Sequence, residues 1–145
     1  MNASLTLMLV AALGGLAVTL QGQMMGVMDR NLGTLESVFI TYAVGGVLIG
    51  LLMLYYRGGN LTQWQQLPWW VFSSGILGLI IVASIGYSIA RLGMVSAFIM
   101  IIAVQFISAA LIDHFGWMGA EVRELSISKS LGILTMMLGV WLTLR

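Results

Sequence analysis

Residues 69–113 read WWVFSSGILGLIIVASIGYSIARLGMVSAFIMIIAVQFISAALID, and their reading decides the fold. Two apolar runs, 69–90 and 94–113, flank Arg91-Leu92-Gly93, and Arg91 is the only charged side chain before Asp113. Each run matches the roughly 20 residues that a helix needs to cross a bilayer core. A joint this short makes the two spans antiparallel neighbours.

The same pattern continues on both sides. Further spans are predicted at 5–28, 35–56 and 127–144. Asp29-Arg30-Asn31 with Gly33 separates the first span from the second. The segment from Arg57 to Gln66 is the most polar, and Pro68, the only proline, precedes the third span, where a helix start tolerates it. Asp113 through Leu125 forms the longest charged loop. The first run lacks a basic start and a clean small-x-small cleavage site, so it reads as a retained helix rather than a signal peptide. Hydrophobic residues make up 60% of the chain and charged ones 8%, with a mean hydropathy of +1.04. Soluble domains carry about a quarter charged residues. The expectation is one all-α membrane domain over 1–145, with five transmembrane helices and termini on opposite faces.

Composition also excludes chemistry. With no cysteine there are no disulfides and no thiolate sites. One histidine and few carboxylates make no metal cage, and no nucleophile–base pair is evident, so neither an enzyme nor a cofactor is expected. A net charge of +1 offers no field for nucleic acid.

The six basic residues divide evenly. Arg57, Arg123 and Lys129 fall on one face, and Arg30, Arg91 and Arg145 on the other. Basic residues in short loops set orientation, so a chain balanced in this way carries no strong topological instruction. Its simplest use is insertion in both senses and pairing with an inverted copy of itself.

Trp69, Trp70, Trp117 and Trp141 lie near predicted span ends, as do Trp64, Tyr55 and Tyr56, and read as interface anchors. Small residues mark packing faces: Gly22 with Gly26, Gly46 with Gly50, and a stripe of Ser128, Gly132, Thr135 and Gly139. Helices in lipid associate through such close-packing positions, so Gly46, Gly50 and the last stripe are expected to form a helix-packing or dimer seam.

Deeper polar residues are fewer. Gln21 shares a face with Gly14 and Ala17; Ser84, Tyr87, Ser88 and Arg91 follow one face of the third span; Gln105 and Ser108 lie on one face of the fourth. Polar groups at this depth face the bundle or a wet cavity. The structural alternative is interhelical hydrogen bonding, worth about 0.6 kcal/mol on average. Glu36, Gln21, Tyr42, Ser84, Tyr87 and Gln105 form the candidate substrate-binding or coupling set. Glu36 aligns with Ala43, Gly46 and Gly50, yet it also stands in the first turn of its helix, where the dipole favours a carboxylate by about 0.3–1 kcal/mol. Asp113 and His114 read as a solvated helix end, and Arg91 as a headgroup-facing loop arginine.

Taken together, Leu5-Thr6-Leu7, Gly14, Gln21, Gly33-Thr34-Leu35-Glu36-Ser37, Gly45-Gly46, Pro68-Trp69-Trp70, Gly75, Gly78, Arg91-Leu92-Gly93, Gln105, Asp113-His114-Phe115-Gly116, Gly132 and Gly139 form an ordered set. In these the chain resembles the drug/metabolite transporter superfamily, and within it a small five-helix family of inner-membrane exporters with no established substrate. The similarity runs nearly end to end. It implies a bacterial inner-membrane location and an antiparallel dimer of ten helices, formed with itself or with a close paralogue. The related small multidrug exporters carry an essential glutamate midway along their first helix, whereas Ala12-Leu13-Gly14-Gly15-Leu16 has no acid.

Two functions are therefore expected as alternatives. One is a secondary transporter exporting a small molecule by alternating access at an inverted-repeat interface, with proton coupling through Glu36. The other is a non-transporting accessory or scaffold subunit paired with another membrane protein.

Overall fold

The computed structural model describes residues 3–145, and helix dominates throughout. Helix α1 spans Ala3–Leu32, α2 Thr34–Tyr55, α3 Ser74–Leu92, α4 Met94–Phe115 and α5 Ile127–Thr143. Short 3-10 helices occur at Leu61–Gln66, Trp69–Ser73 and Trp117–Gly119. The chain forms two compact units, one running to Arg91 and the other spanning Leu92–Arg145. Four stretches are long and apolar enough to cross a membrane: Ser4–Leu32, Thr34–Tyr55, Trp69–Leu92 and Met94–Phe115. Helix α5 is shorter, with 17 residues, and reaches about 26 Å at 1.5 Å per residue.

In the first unit α1 runs through Asp29, Arg30 and Asn31, where the sequence predicts a break. The Asn31 amide donates to the Val27 carbonyl at 2.7 Å, so this polar side chain seals its own helix. Arg30 sits in the last turn, where the helix dipole favours a cation. The break falls at Gly33 alone, with φ 108° and ψ 166°, a conformation open to glycine and strained for other residues. Across this single residue α1 folds back and packs on α2. The Gly33 N–H donates to the Asp29 carbonyl, and the Gly33 carbonyl accepts from the Ser37 N–H.

Beyond α2 the chain reverses through Arg57, Gly58 and Gly59, all with positive φ. Pro68 is extended, and its carbonyl accepts from the Val71 N–H. That i→i+3 bond opens the predicted third span as a 3-10 turn, so α-helix begins only at Ser74.

In the second unit α4 packs on α5. Gly116, in the left-handed conformation, ends α4 two residues past the predicted limit, its N–H bonded to the Ile112 carbonyl. The following loop folds back onto the helix end. Arg123 N–H donates to the Asp113 carbonyl at 2.8 Å, and Leu125 N–H to His114 Nδ1 at 3.4 Å. Asp113 and His114 are half-buried loop fasteners rather than a fully solvated end. Ser126 then caps α5 by accepting from the Lys129 N–H.

Candidate functional site

The first unit holds a cleft of about 380 Å³ lined by Gln21, Thr41, Tyr42, Gly45, Gly46, Ile49 and Val82. These residues come from α1, α2 and α3, and all but Ile49 stand in the middle third of their apolar stretches. Two adjacent glycines on α2 create the hollow, because a Cβ at either Gly45 or Gly46 would meet nothing within 4 Å. Gly78 on α3 leaves room for the tip of the Tyr42 side chain, since a Cβ there would lie 2.5 Å from the phenol oxygen. Thr41 donates its hydroxyl to the Ser37 carbonyl at 2.8 Å. The Gln21 amide and the Tyr42 phenol therefore supply the polar character of the lining.

The helices pack most tightly toward one end. All buried residues described in the first unit lie toward that end: Gly22, Met25, Gly26 and Asp29 on α1, Ser37 on α2, and Ile85, Gly86 and Ile89 on α3. Spacings of three and four residues put each set on one helical face. Helices α1 and α3 meet here through their glycines. A Cβ on Gly26 would lie 2.6 Å from Ile89 Cγ2, and one on Gly86 3.4 Å from Met25 Cε. In lipid such contact gains dispersion energy rather than hydrophobic energy, so the close approach is what holds the crossing.

An ion pair fastens the same end. Asp29 accepts from Arg91 at 2.9 Å through one carboxylate oxygen and from the Thr34 hydroxyl at 2.6 Å through the other. The Asp29 side chain is 2% exposed and that of Arg91 49%. Arg91 also stacks its guanidinium over the Tyr87 ring at 3.5 Å and donates to the Tyr87 carbonyl at 3.0 Å. Donors from α2 and α3 thus converge on a carboxylate of α1. Toward the opposite ends of the three helices no described residue is buried. The cleft is pinned at one end and loose at the other.

The second unit has a smaller hollow of about 170 Å³ between α4, α5 and their loop, lined by Asp113, Arg123, Lys129 and apolar neighbours. Among the described residues no cluster of potential metal ligands occurs.

The candidate residues divide accordingly. Gln21, Tyr42 and Gly46 meet in the cleft. Glu36 does not line it. It is exposed beside Leu32, Leu35, Phe39 and Ile40, with its carboxylate curled over Gly33 at the start of α2. Ser84 is exposed on α3, and Tyr87 belongs to the Arg91 cluster. Gln105 is exposed on α4. Gly50, Gly132 and Gly139 have open space where a Cβ would stand, and Ser128 and Thr135 are exposed, so this chain alone leaves the seam residues uncovered. Trp69, Trp117 and Trp141 are exposed, as is Trp70 to a lesser degree. Asp29 and Thr34 lie outside the predicted set. The signal for Asp29 was its place on the face of Gly22 and Gly26, which the reading of 29–31 as a breaker obscured.

Long apolar helices, a small-residue crossing and a cleft at mid-helix depth define a multi-pass helical membrane protein. The chain belongs to the family described as "Putative inner membrane exporter, YdcZ", which matches residues 6–142. It is accordingly a multi-pass protein of the inner membrane. No curated protein and no solved structure matches it.

Proposed function

We infer that the chain is a secondary exporter of a small molecule, acting as an inverted homodimer in which α5 also spans the membrane. The observation that carries this reading is the cleft itself: a hollow at mid-helix depth, walled by three spans whose buried contacts gather toward one end. Inverted-repeat transporters place their substrate at this depth and expose it alternately to the two sides. The exposed glycine and serine faces of α2 and α5 suit burial against a second copy, and the balanced basic residues suit a partner of opposite orientation. Alternating access then requires the pinned end to open, so the Asp29–Arg91 pair is its latch. Transport rather than catalysis fits a lining with no nucleophile or general base.

The test is counterflow of a small-metabolite library into proteoliposomes holding the purified chain. Val82→Trp, which fills the cleft, is expected to abolish any flux that the wild-type supports. Flux that survives Val82→Trp removes the cleft from the path. In the same assay Glu36→Gln is expected to leave both rate and pH dependence within about twofold, because its carboxylate stands outside the cleft. A pH dependence lost with Glu36 would restore proton linkage through that residue.

A further inference from the structure

We propose that the cleft of the first unit selects an uncharged amphipathic solute, recognised by the Gln21 amide and the Tyr42 phenol together and repelling organic cations and anions alike. The proposal rests on the reading of this cleft as the substrate site and names what that site takes.

Three observations carry it. First, none of the residues lining the cleft is ionisable at neutral pH: apart from Gln21, Thr41 and Tyr42 the walls are Gly45, Gly46, Ile49 and Val82. A charge brought into such a lining loses its hydration without a counter-charge, which is strongly unfavourable. Second, the acids that could have supplied a counter-charge are turned elsewhere. Asp29, further along α1 from Gln21, has both oxygens occupied by Arg91 and Thr34. Glu36, earlier on α2 than Tyr42, rests over Gly33 among Leu32, Leu35 and Phe39. Third, the polar groups that remain are complementary. Thr41 has given its hydroxyl to the Ser37 carbonyl. A glutamine amide offers two donors and an acceptor, and a phenol one donor and an acceptor. Set in an otherwise apolar lining, the two groups hold a solute hydroxyl or amide that pairs with both. A void of about 380 Å³ lies toward the small end of ligand sites, which suits a solute of one or two rings.

The chain has no cysteine, so Val82→Cys gives a single thiol in the cleft of the intact protein. Its rate of labelling by N-ethylmaleimide is followed in proteoliposomes with four probes on one scaffold: 1-naphthol, naphthalene, 1-naphthylmethylammonium and naphthalene-1-sulfonate. The expected result is that 1-naphthol protects most strongly, naphthalene more weakly, and neither ion at the same concentration. Gln21→Leu, read in the Val82→Cys background, should weaken protection by naphthol about tenfold, the scale of one lost hydrogen bond, and leave that by naphthalene unchanged. Ile102→Cys, on α4 and outside the cleft lining, reports partition into lipid and should show no naphthol protection. Stronger protection by the ammonium or the sulfonate overturns the uncharged class while the export reading stands. Equal protection at Val82→Cys and Ile102→Cys, or none by any probe, overturns the recognition itself and removes the cleft as the binding site.

Discussion

Asp29 and Arg91 are 62 residues apart in sequence and share one hydrogen bond, but their surroundings are unequal. The carboxylate is almost wholly enclosed, whereas the guanidinium is half exposed over Tyr87. Removing Arg91 strands an anion in a buried place with only Thr34 to satisfy it. Removing the charge of Asp29 leaves a cation free to reach water or headgroups along its own stem. Arg91→Ala is therefore expected to cost more than Asp29→Asn, about 3 against about 1 kcal/mol, within the span for orphaned buried charges and lost hydrogen bonds. Unfolding of the purified protein in mixed detergent measures both, and equal costs would mean that the pair is solvated alike on both sides. Individual residues were unevenly legible in the sequence. Gln21 and Tyr42 stand out because a polar group at mid-span needs a reason. Asp29 does not, since an acid beside arginine and asparagine looks like a loop until its partner on a distant helix is in view. Glu36 could be weighed from its first-turn position, yet the turn of its carboxylate over Gly33, away from the cleft, leaves no mark in the sequence.

At the scale of elements, the helix inventory was readable from apolar length, and the glycine at 33 from the need to end one helix and begin another. The Gly22–Gly26 spacing marked a packing face without naming its partner, because small residues fit against any helix. That partner is α3, and the contacts differ in kind. A methyl group on Gly26 would run into the β-branched Ile89, which cannot swing aside, whereas one on Gly86 meets the flexible end of Met25. Gly26→Ala should destabilise the protein by about 1–3 kcal/mol, as overpacking does. Gly86→Ala should stay within about 0.5 kcal/mol, an ordinary surface-sized effect. Thermal unfolding of the two variants side by side checks the contrast, and comparable losses would show the crossing to be uniformly rigid. Local backbone detail at element ends was the least legible. The 3-10 opening of residues 69–73 and the folding of Arg123 onto Asp113 depend on single hydrogen bonds that leave no periodic trace.

For the molecule as a whole, orientation is the property that the even division of basic residues bears on. If Arg57, Arg123 and Lys129 oppose Arg30, Arg91 and Arg145 without a winner, C-terminal reporters of opposite compartment preference should both be active. Two added lysines between Arg57 and Asn60 should silence one of them. A single active reporter in the unaltered chain would show that a bias other than loop charge fixes its topology. The same two-lysine variant, confined to one orientation, should lose flux and regain it when co-expressed with a chain biased the opposite way.

The one-residue joint at Gly33 bears on how such a protein is made. When α1 emerges from the ribosome, nothing behind it can stay in water while the first helix settles, because α2 begins at once. The two are expected to enter the bilayer as a single hairpin, with Gly33 leading or trailing. On the proposed insertion in both senses, the crossings of α1 and α2 would be committed together, and the choice of sense would fall at that one early moment.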